Sequence, residues 1–535
     1  MILEYWFVLI ILSFLSFMPG YVISGFLKFR DDEKFLVSFG FSVLFYLSML
    51  PLVLSGLDVI VYVILFIFMI LFIINIKTLQ NRFLIKLFIF QIVLYSILSF
   101  MLPYPVLGGD WYIHSYIQPK IFESGDWSPP VDRPPVFSML VLSFHKLFSV
   151  PLEQFWFSQM ISIIFNGLMW LPLFFIAKNY VHKKNIAKLS AILVMILPFI
   201  AANALYTWPK ALAGYFILLA VYFLFSRKPH ILAAGLFSAM AFLLHNYTVF
   251  FILAIFLLLL IRKHYKKALI FMIITFLIIA PYILWYFTYY HSVSKSNFAY
   301  YPFAVDGYGK INENTMKKFY NTPITTIIGN RIANTILTFT PVVPVLPLFH
   351  DIGILNISQG TYNWAPWLHI YHTYIGALTL GVYVIAVLWF LHYLKNRNKH
   401  DDTLVFIILS AFIFSAILWG WYELGLVHQT LQPTIPIILM LGIVWLSHKK
   451  YFSKAIWIVL IVILIELAFY MIGSYNYFVL EDEPTLELSV QRFLPEFRIE
   501  NLISSFSFVE ASIILIAIHI IALILICFKM FKSEF

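Results

Sequence analysis

Long apolar runs separated by short basic loops recur along the whole chain, and that succession leaves few ways to fold. A membrane-spanning helix needs roughly 20 predominantly apolar residues, with a range of about 17 to 25. Runs of this kind lie near 6–27, 36–54, 58–76, 87–105, 156–177, 189–206, 268–288, 368–391, 404–422, 455–474 and 508–528. Shorter runs at 211–226, 231–245, 247–261 and 431–447 bring the expected number of spans to about fifteen. The first run is too long for the apolar core of a signal peptide and lacks a basic start and a small-residue cleavage site, so a retained span is expected.

Of the 535 residues, 62% are hydrophobic and only 11% are charged, against about 25% charged in a soluble domain. Such a chain cannot build a water-facing surface around its apolar content. The expected class is an all-α polytopic membrane protein, which sets aside a soluble enzyme, a disordered scaffold and a secreted disulfide framework. The single cysteine, Cys527, has no partner in its own chain.

The formal charge of +10 is a topology signal. Of the 35 Lys and Arg, 24 fall in eight places between or beside apolar runs: 28–34, 77–86, 178–188, 227–228, 262–267, 395–399, 449–454 and 529–532. The positive-inside rule makes these cytoplasmic. The run Val136–Val150 is apolar but only fifteen residues long. Counting it as a span would put 178–188 outside, against every other basic loop, so it is expected to lie in or dip into the outer interface.

This parity turns three long segments outward, at 103–150, 291–367 and 474–507. Long structured loops are usually functional. A transporter would more often gather its polar residues at the bilayer midplane, whereas this chain gathers them on one face. Three parts follow: an N-terminal three-helix bundle at 1–86, a main membrane module at 87–447 carrying the first two external loops, and C-terminal helices at 448–535 with an acidic external loop.

The densest polar stretch runs Gly108-Gly109-Asp110-Trp111-Tyr112-Ile113-His114, continues through Glu123-Ser124-Gly125-Asp126-Trp127, and ends at Asp132-Arg133-Pro134-Pro135-Val136. A carboxylate fixed beside aromatic rings at the membrane boundary can have a raised pKa and take a proton from a hydroxyl. Asp110 suits that role and suits an N-cap of the following helix equally well. Arg133 suits phosphate, because a guanidinium binds it bidentately and stays charged; pairing with Asp126 or Asp132 is the plainer alternative. Lys210, in Tyr206-Thr207-Trp208-Pro209-Lys210, lies at an outer turn, where a lysine snorkelling beside an interfacial tryptophan is also common. Glu423, His428 and Gln429 sit beside Trp419, Trp421 and Tyr422 at another outer turn. Rings and amides together suit a sugar surface, as they suit an aromatic belt with helix caps. Glu466 lies inside an apolar run, where a structural hydrogen-bonded acid is the simpler reading. His114 and the pair His369 and His372 are weak metal candidates, and a divalent metal is left open. Phosphate-cradling loops, dinucleotide fingerprints, His-Glu-x-x-His and zinc cysteine pairs do not occur.

Taken in order, these elements resemble the integral-membrane GT-C glycosyltransferases, the branch of the protein mannosyltransferases, the lipid A aminoarabinose transferase and their RgtA/B/C/D-like relatives. The resemblance is carried by Gly109-Asp110, Ser124 to Trp127, Arg133 to Val136, Asn203 to Lys210, Gly235 to His245, Ala280-Pro281-Tyr282, and Leu431 to Pro436, and it covers roughly residues 87–447. It implies inverting transfer of a sugar from a polyprenyl-phosphate donor to a glycan, lipid or protein acceptor at the outer face of the cell membrane. Carried over residue by residue, Asp110 is the base, Arg133 a donor-phosphate contact and Lys210 a second one. His114, Asp126, Trp208, Glu423, His428 and Gln429 are substrate-binding candidates, and nucleic acid is not an expected partner.

The chain departs from the family pattern at four points. Trp111 stands where many relatives have a second acid, His245 replaces a lysine of the middle of the module, and Gln429-Thr430-Leu431-Gln432-Pro433 replaces an Arg-Tyr-x-x-Pro element. The Trp-Trp-Asp signature of oligosaccharyltransferases is absent, which argues against transfer of whole glycans to asparagine. The competing expectations are a transporter or flippase of lipid-linked sugars, and a ligase or polymerase of longer glycans.

Overall fold

The computed structural model describes residues 2–76, 82–101, 113–127, 134–181, 184–226, 229–290, 380–396, 399–418, 431–450 and 452–475, with a few positions between 321 and 332. Among the described residues there is no strand. The helices are α1 (Ile2–Phe26), α2 (Asp31–Leu54), α3 (Asp58–Asn75), α4 (Arg82–Met101), α5 (Gln118–Glu123), α6 (Val136–Leu147), α7 (Phe155–Phe165), α8 (Trp170–Val181) and α9 (Lys184–Ile196). They continue as α10 (Pro198–Leu205), α11 (Lys210–Phe225), α12 (Ile231–Leu244), α13 (Val249–Ile261), α14 (Tyr265–Tyr290), α15 (Leu380–Lys395), α16 (Lys399–Leu418), α17 (Leu431–Leu446) and α18 (Phe452–Tyr475).

The protein is an all-α polytopic membrane protein. Six described helices are long and apolar enough to cross a bilayer, or seven when a bent pair is taken as one span. Several of the remaining apolar helices are shorter, among them α11, α12 and α13. The runs near 368–391 and 508–528, part of the expectation of about fifteen, lie partly or wholly outside the described residues.

Two expected spans depart from a single regular α-helix. In 156–177, a 3-10 turn at Asn166–Met169 separates α7 from α8. In 189–206, α9 and α10 meet at 60°, because Pro198 has no N–H to continue the ladder and Leu197 is extended. The helix α6 has twelve residues, about 18 Å at the α-helical rise and well short of the roughly 30 Å hydrocarbon core. It does not cross.

Side-chain contacts establish which helix ends share a side. Arg30 donates to the buried Glu33 at 2.6 Å and to the Tyr222 hydroxyl at 3.1 Å, and Lys178 lies 3.5 Å from Asp32. The start of α2 and the ends of α8 and α11 are thereby tied together at the basic end. At the opposite end, the turn before α11 meets the turn between α12 and α13.

The first helices share one apolar core with the rest. Gly20 of α1 lies so close to α2 that an added Cβ would fall 1.7 Å from the Ser38 carbonyl oxygen. The α2 helix then carries α6: Tyr46 packs on Phe144 with ring centroids 4.4 Å apart, the Ser143 hydroxyl reaches the Tyr46 carbonyl at 3.3 Å, and the Tyr62 hydroxyl of α3 donates to the Leu147 carbonyl at 2.6 Å.

Candidate functional site

The turn Tyr206–Pro209 lies at the end opposite the basic loops and leads into Lys210. Proline at 209 fixes the chain direction and Lys210 begins α11. Pro209 in the N-cap position has no side-chain acceptor for the first N–H groups of the helix. Asn166, from the 3-10 turn between α7 and α8, supplies one: its Oδ1 accepts from the Leu212 N–H at 3.2 Å, while its Nδ2 donates to the carbonyls of Tyr206 and Trp208, both at 2.9 Å. Gln159 of α7 donates to the Leu205 carbonyl at 3.4 Å.

Lys210 is buried, the residue being 2% exposed, and its Nζ lies 3.5 Å from the centroid of the Trp208 ring. Cation–π attraction strengthens when both groups leave water. The Trp208 ring is met edge-on by Tyr206 at 5.6 Å and by His245 at 6.2 Å. The positive end of α11 adds to the lysine charge, so this corner favours an anion.

His245 leads the second turn. The α12 helix stops at Leu244, His245 is extended, and Asn246–Thr248 form a 3-10 turn. His245 Nδ1 accepts the Tyr247 N–H at 3.3 Å, which puts the proton of the neutral ring on Nε2. The Tyr247 hydroxyl donates to the Lys210 carbonyl at 3.0 Å, joining the two turns.

The described segment 113–127 packs next to α6. The Ser124-Gly125-Asp126-Trp127 element is a helix stop. The Asp126 N–H bonds to the Ile121 carbonyl and the Gly125 N–H to that of Phe122, with Gly125 at φ +82, the left-handed conformation that glycine adopts without penalty. Trp127 stacks on Phe122 at 5.1 Å, and its carbonyl accepts Trp285 Nε1 of α14 at 2.8 Å. Glu123 pairs with Lys146 at 2.6 Å and Lys120 at 3.1 Å, tying α5 to α6. Partial burial pushes the Glu123 carboxyl up, and the two ammonium groups outweigh it and bring it below its ordinary range. His145 donates from Nδ1 to the carbonyls of Val150 and Pro151 at 3.0 and 3.1 Å and accepts the Ser158 hydroxyl at Nε2 at 2.8 Å. Burial lowers its pKa to about 4.

Of the residues singled out by sequence, Asp110, Arg133, Glu423, His428 and Gln429 lie outside the described residues, as do His369 and His372. Lys210 and Trp208 are brought into contact. His114 is buried, 1% exposed, and its Nδ1 bonds to Ser138 at 3.1 Å, whose hydroxyl passes on to Gln118 Oε1 at 2.5 Å. Asp126 is exposed and takes part in the helix stop through its backbone. Asn166, His245 and Tyr247 were not among the expected site residues. Of these only His245 carried a signal, as the histidine standing where relatives have a lysine. Among the described residues, no group of three or more His, Cys, Asp or Glu side chains is gathered to hold a metal ion.

No protein-family model matches the chain, and no curated protein matches it. Among solved structures, the chain is similar to ArnT from Cupriavidus metallidurans, crystallised bound to undecaprenyl phosphate, with 12% sequence identity and a TM-score of 0.43 over 74% of this chain and 76% of that one.

Proposed function

We propose that the protein is a membrane glycosyltransferase that moves a sugar from a polyprenyl-phosphate donor to a glycan, lipid or protein acceptor at the extracytoplasmic face, with inversion. The observation that carries the reading is the buried ammonium of Lys210, held against Trp208 at the end of the bundle away from the basic loops. A buried ammonium at the N-terminal end of α11 attracts an anion, and a phosphate can enter the corner while its prenyl chain stays among apolar helices.

In this reaction the acceptor hydroxyl attacks the anomeric carbon while Asp110 takes its proton. The new carbon–oxygen bond forms as the bond to the phosphate oxygen breaks, and that oxygen leaves with the electron pair. Arg133 and Lys210 stabilise the phosphate charge that grows in the transition state. An ammonium already dehydrated and fixed needs little reorganisation at that moment.

The test is mass spectrometry of glycolipids and glycans from cells lacking the protein, complemented with wild type, Asp110→Asn or Lys210→Met. The expected result is a polyprenyl-phosphate sugar that accumulates and a glycan short of one residue, both reversed by wild type and by neither variant. Full reversal by Asp110→Asn would remove Asp110 as the base and put a carrier of lipid-linked sugars in the place of a transferase.

A further inference from the structure

The amide of Asn166 makes three hydrogen bonds, and all three fall on the seven residues from Tyr206 to Leu212. Two carbonyls before Pro209 and one N–H after Lys210 are held by a single side chain reaching over from another helix. An N-cap normally comes from the residue just before its helix. Here the capping group is 46 residues away in the chain, so the first turn of α11, whose entry Pro209 fixes, is also tied to the α7–α8 turn.

That turn is itself held in place. Gln91 of α4 donates from Nε2 to the carbonyls of Ile163 at 2.8 Å and Ile164 at 3.0 Å, and its Oε1 accepts Trp170 Nε1 at 2.6 Å. A Cβ on Gly167 would lie 2.3 Å from Gln91 Nε2, so a side chain there would have to displace the Gln91 amide. Hydrogen bonds thus tie α4 to the segment that carries Asn166, and Asn166 to the Lys210 turn, which Tyr247 joins from the other side at the Lys210 carbonyl.

We infer that Asn166 is a positioning residue for phosphate recognition, acting through the backbone of residues 206–212 to hold the Lys210 ammonium where a lipid phosphate binds. The inference rests on the donor-phosphate role proposed for Lys210. Asn166 itself touches no substrate. Its loss leaves the charge in the protein and releases its direction.

The test compares binding of farnesyl phosphate and of farnesol to the purified full-length protein in nanodiscs. Asn166→Ala is expected to weaken farnesyl phosphate on the order of tenfold and to leave farnesol unchanged, because only the phosphate reads the lysine. Tyr247→Phe, which removes one hydroxyl beneath Lys210, is expected to do the same by about threefold and serves where Asn166→Ala does not accumulate. Equal weakening of both ligands, or unchanged phosphate affinity, overturns the inference. Lys210→Gln separates the two levels. If it abolishes the preference for phosphate while the Asn166 and Tyr247 variants keep it, the positioning role alone fails. If Lys210→Gln keeps the preference, both the positioning role and the donor-phosphate role fall.

Discussion

The Lys210 ammonium lies over the ring of Trp208, two residues before it, at 3.5 Å from the centroid. At that distance the ring shares in dehydrating the cation, a contribution of about 0.5 to 2 kcal/mol. Trp208→Leu is therefore expected to raise the KM for a polyprenyl-phosphate donor by about two- to thirtyfold and to change kcat less. Steady-state kinetics on purified protein with a short-chain donor would check the split.

His145 makes stability depend on pH. Its ring is neutral in the fold because burial lowers its pKa from 6.5 to about 4. Above 6.5 the group is neutral in both folded and unfolded chains, and its contribution is intact. As pH falls below that value the unfolded chain takes up a proton first, and stability drains away until the folded pKa near 4 is reached, for a total on the order of 3 kcal/mol. Thermal melting in detergent between pH 7.5 and pH 4.5 should show this loss. His145→Gln, which keeps a donor and an acceptor but cannot titrate, should flatten the dependence.

Two glycines of α1 are expected to behave oppositely. An added Cβ at Gly20 would strike the backbone of α2 at Ser38, whereas at Gly25 it would meet nothing within 4 Å. Gly20→Ala should separate the two helices and destabilise by about 1–3 kcal/mol or more. Gly25→Ala should be neutral or stabilise by up to about 1 kcal/mol. Yield of monodisperse protein and its melting midpoint distinguish them.

Tyr62 holds the last turn of α6 through its hydroxyl, at 2.6 Å from the Leu147 carbonyl. Tyr62→Phe removes one hydrogen bond worth about 1 kcal/mol. Amide hydrogen exchange near the end of α6 should speed up by about fivefold, with that of α12 unchanged. Equal acceleration in both helices would mean that the bond does not act locally.

The all-helical membrane class was legible because it depends on a property that every residue carries, hydropathy summed over a run. The short length of Val136–Val150 was legible for the same reason. The departures from regular helix were less so. Pro198 marks one of them, while Asn166–Met169 is marked only by an Asn-Gly pair inside an apolar run that continues as one span, and the side chain that fits against it, Gln91, is distant in the chain. The site divides in the same way. Lys210 and Trp208 stand out as scarce residue types at a loop, while Asn166 is one amide in a hydrophobic stretch whose partners are backbone groups 40 to 46 positions later. No local pattern encodes that. Ser124 to Trp127 shows the reverse case, in which a stretch that looks like a substrate motif is also what a helix needs in order to stop.

The support of α6 by α2 and α3 also bears on how the chain is made. A twelve-residue helix cannot be retained by the bilayer through length alone. Tyr46 and Tyr62, which grip it, leave the ribosome more than seventy residues before Phe144 and Leu147 do. Much of the platform is therefore synthesised before the segment that docks on it, so α6 can assemble against helices already made while the rest of the protein is still being translated.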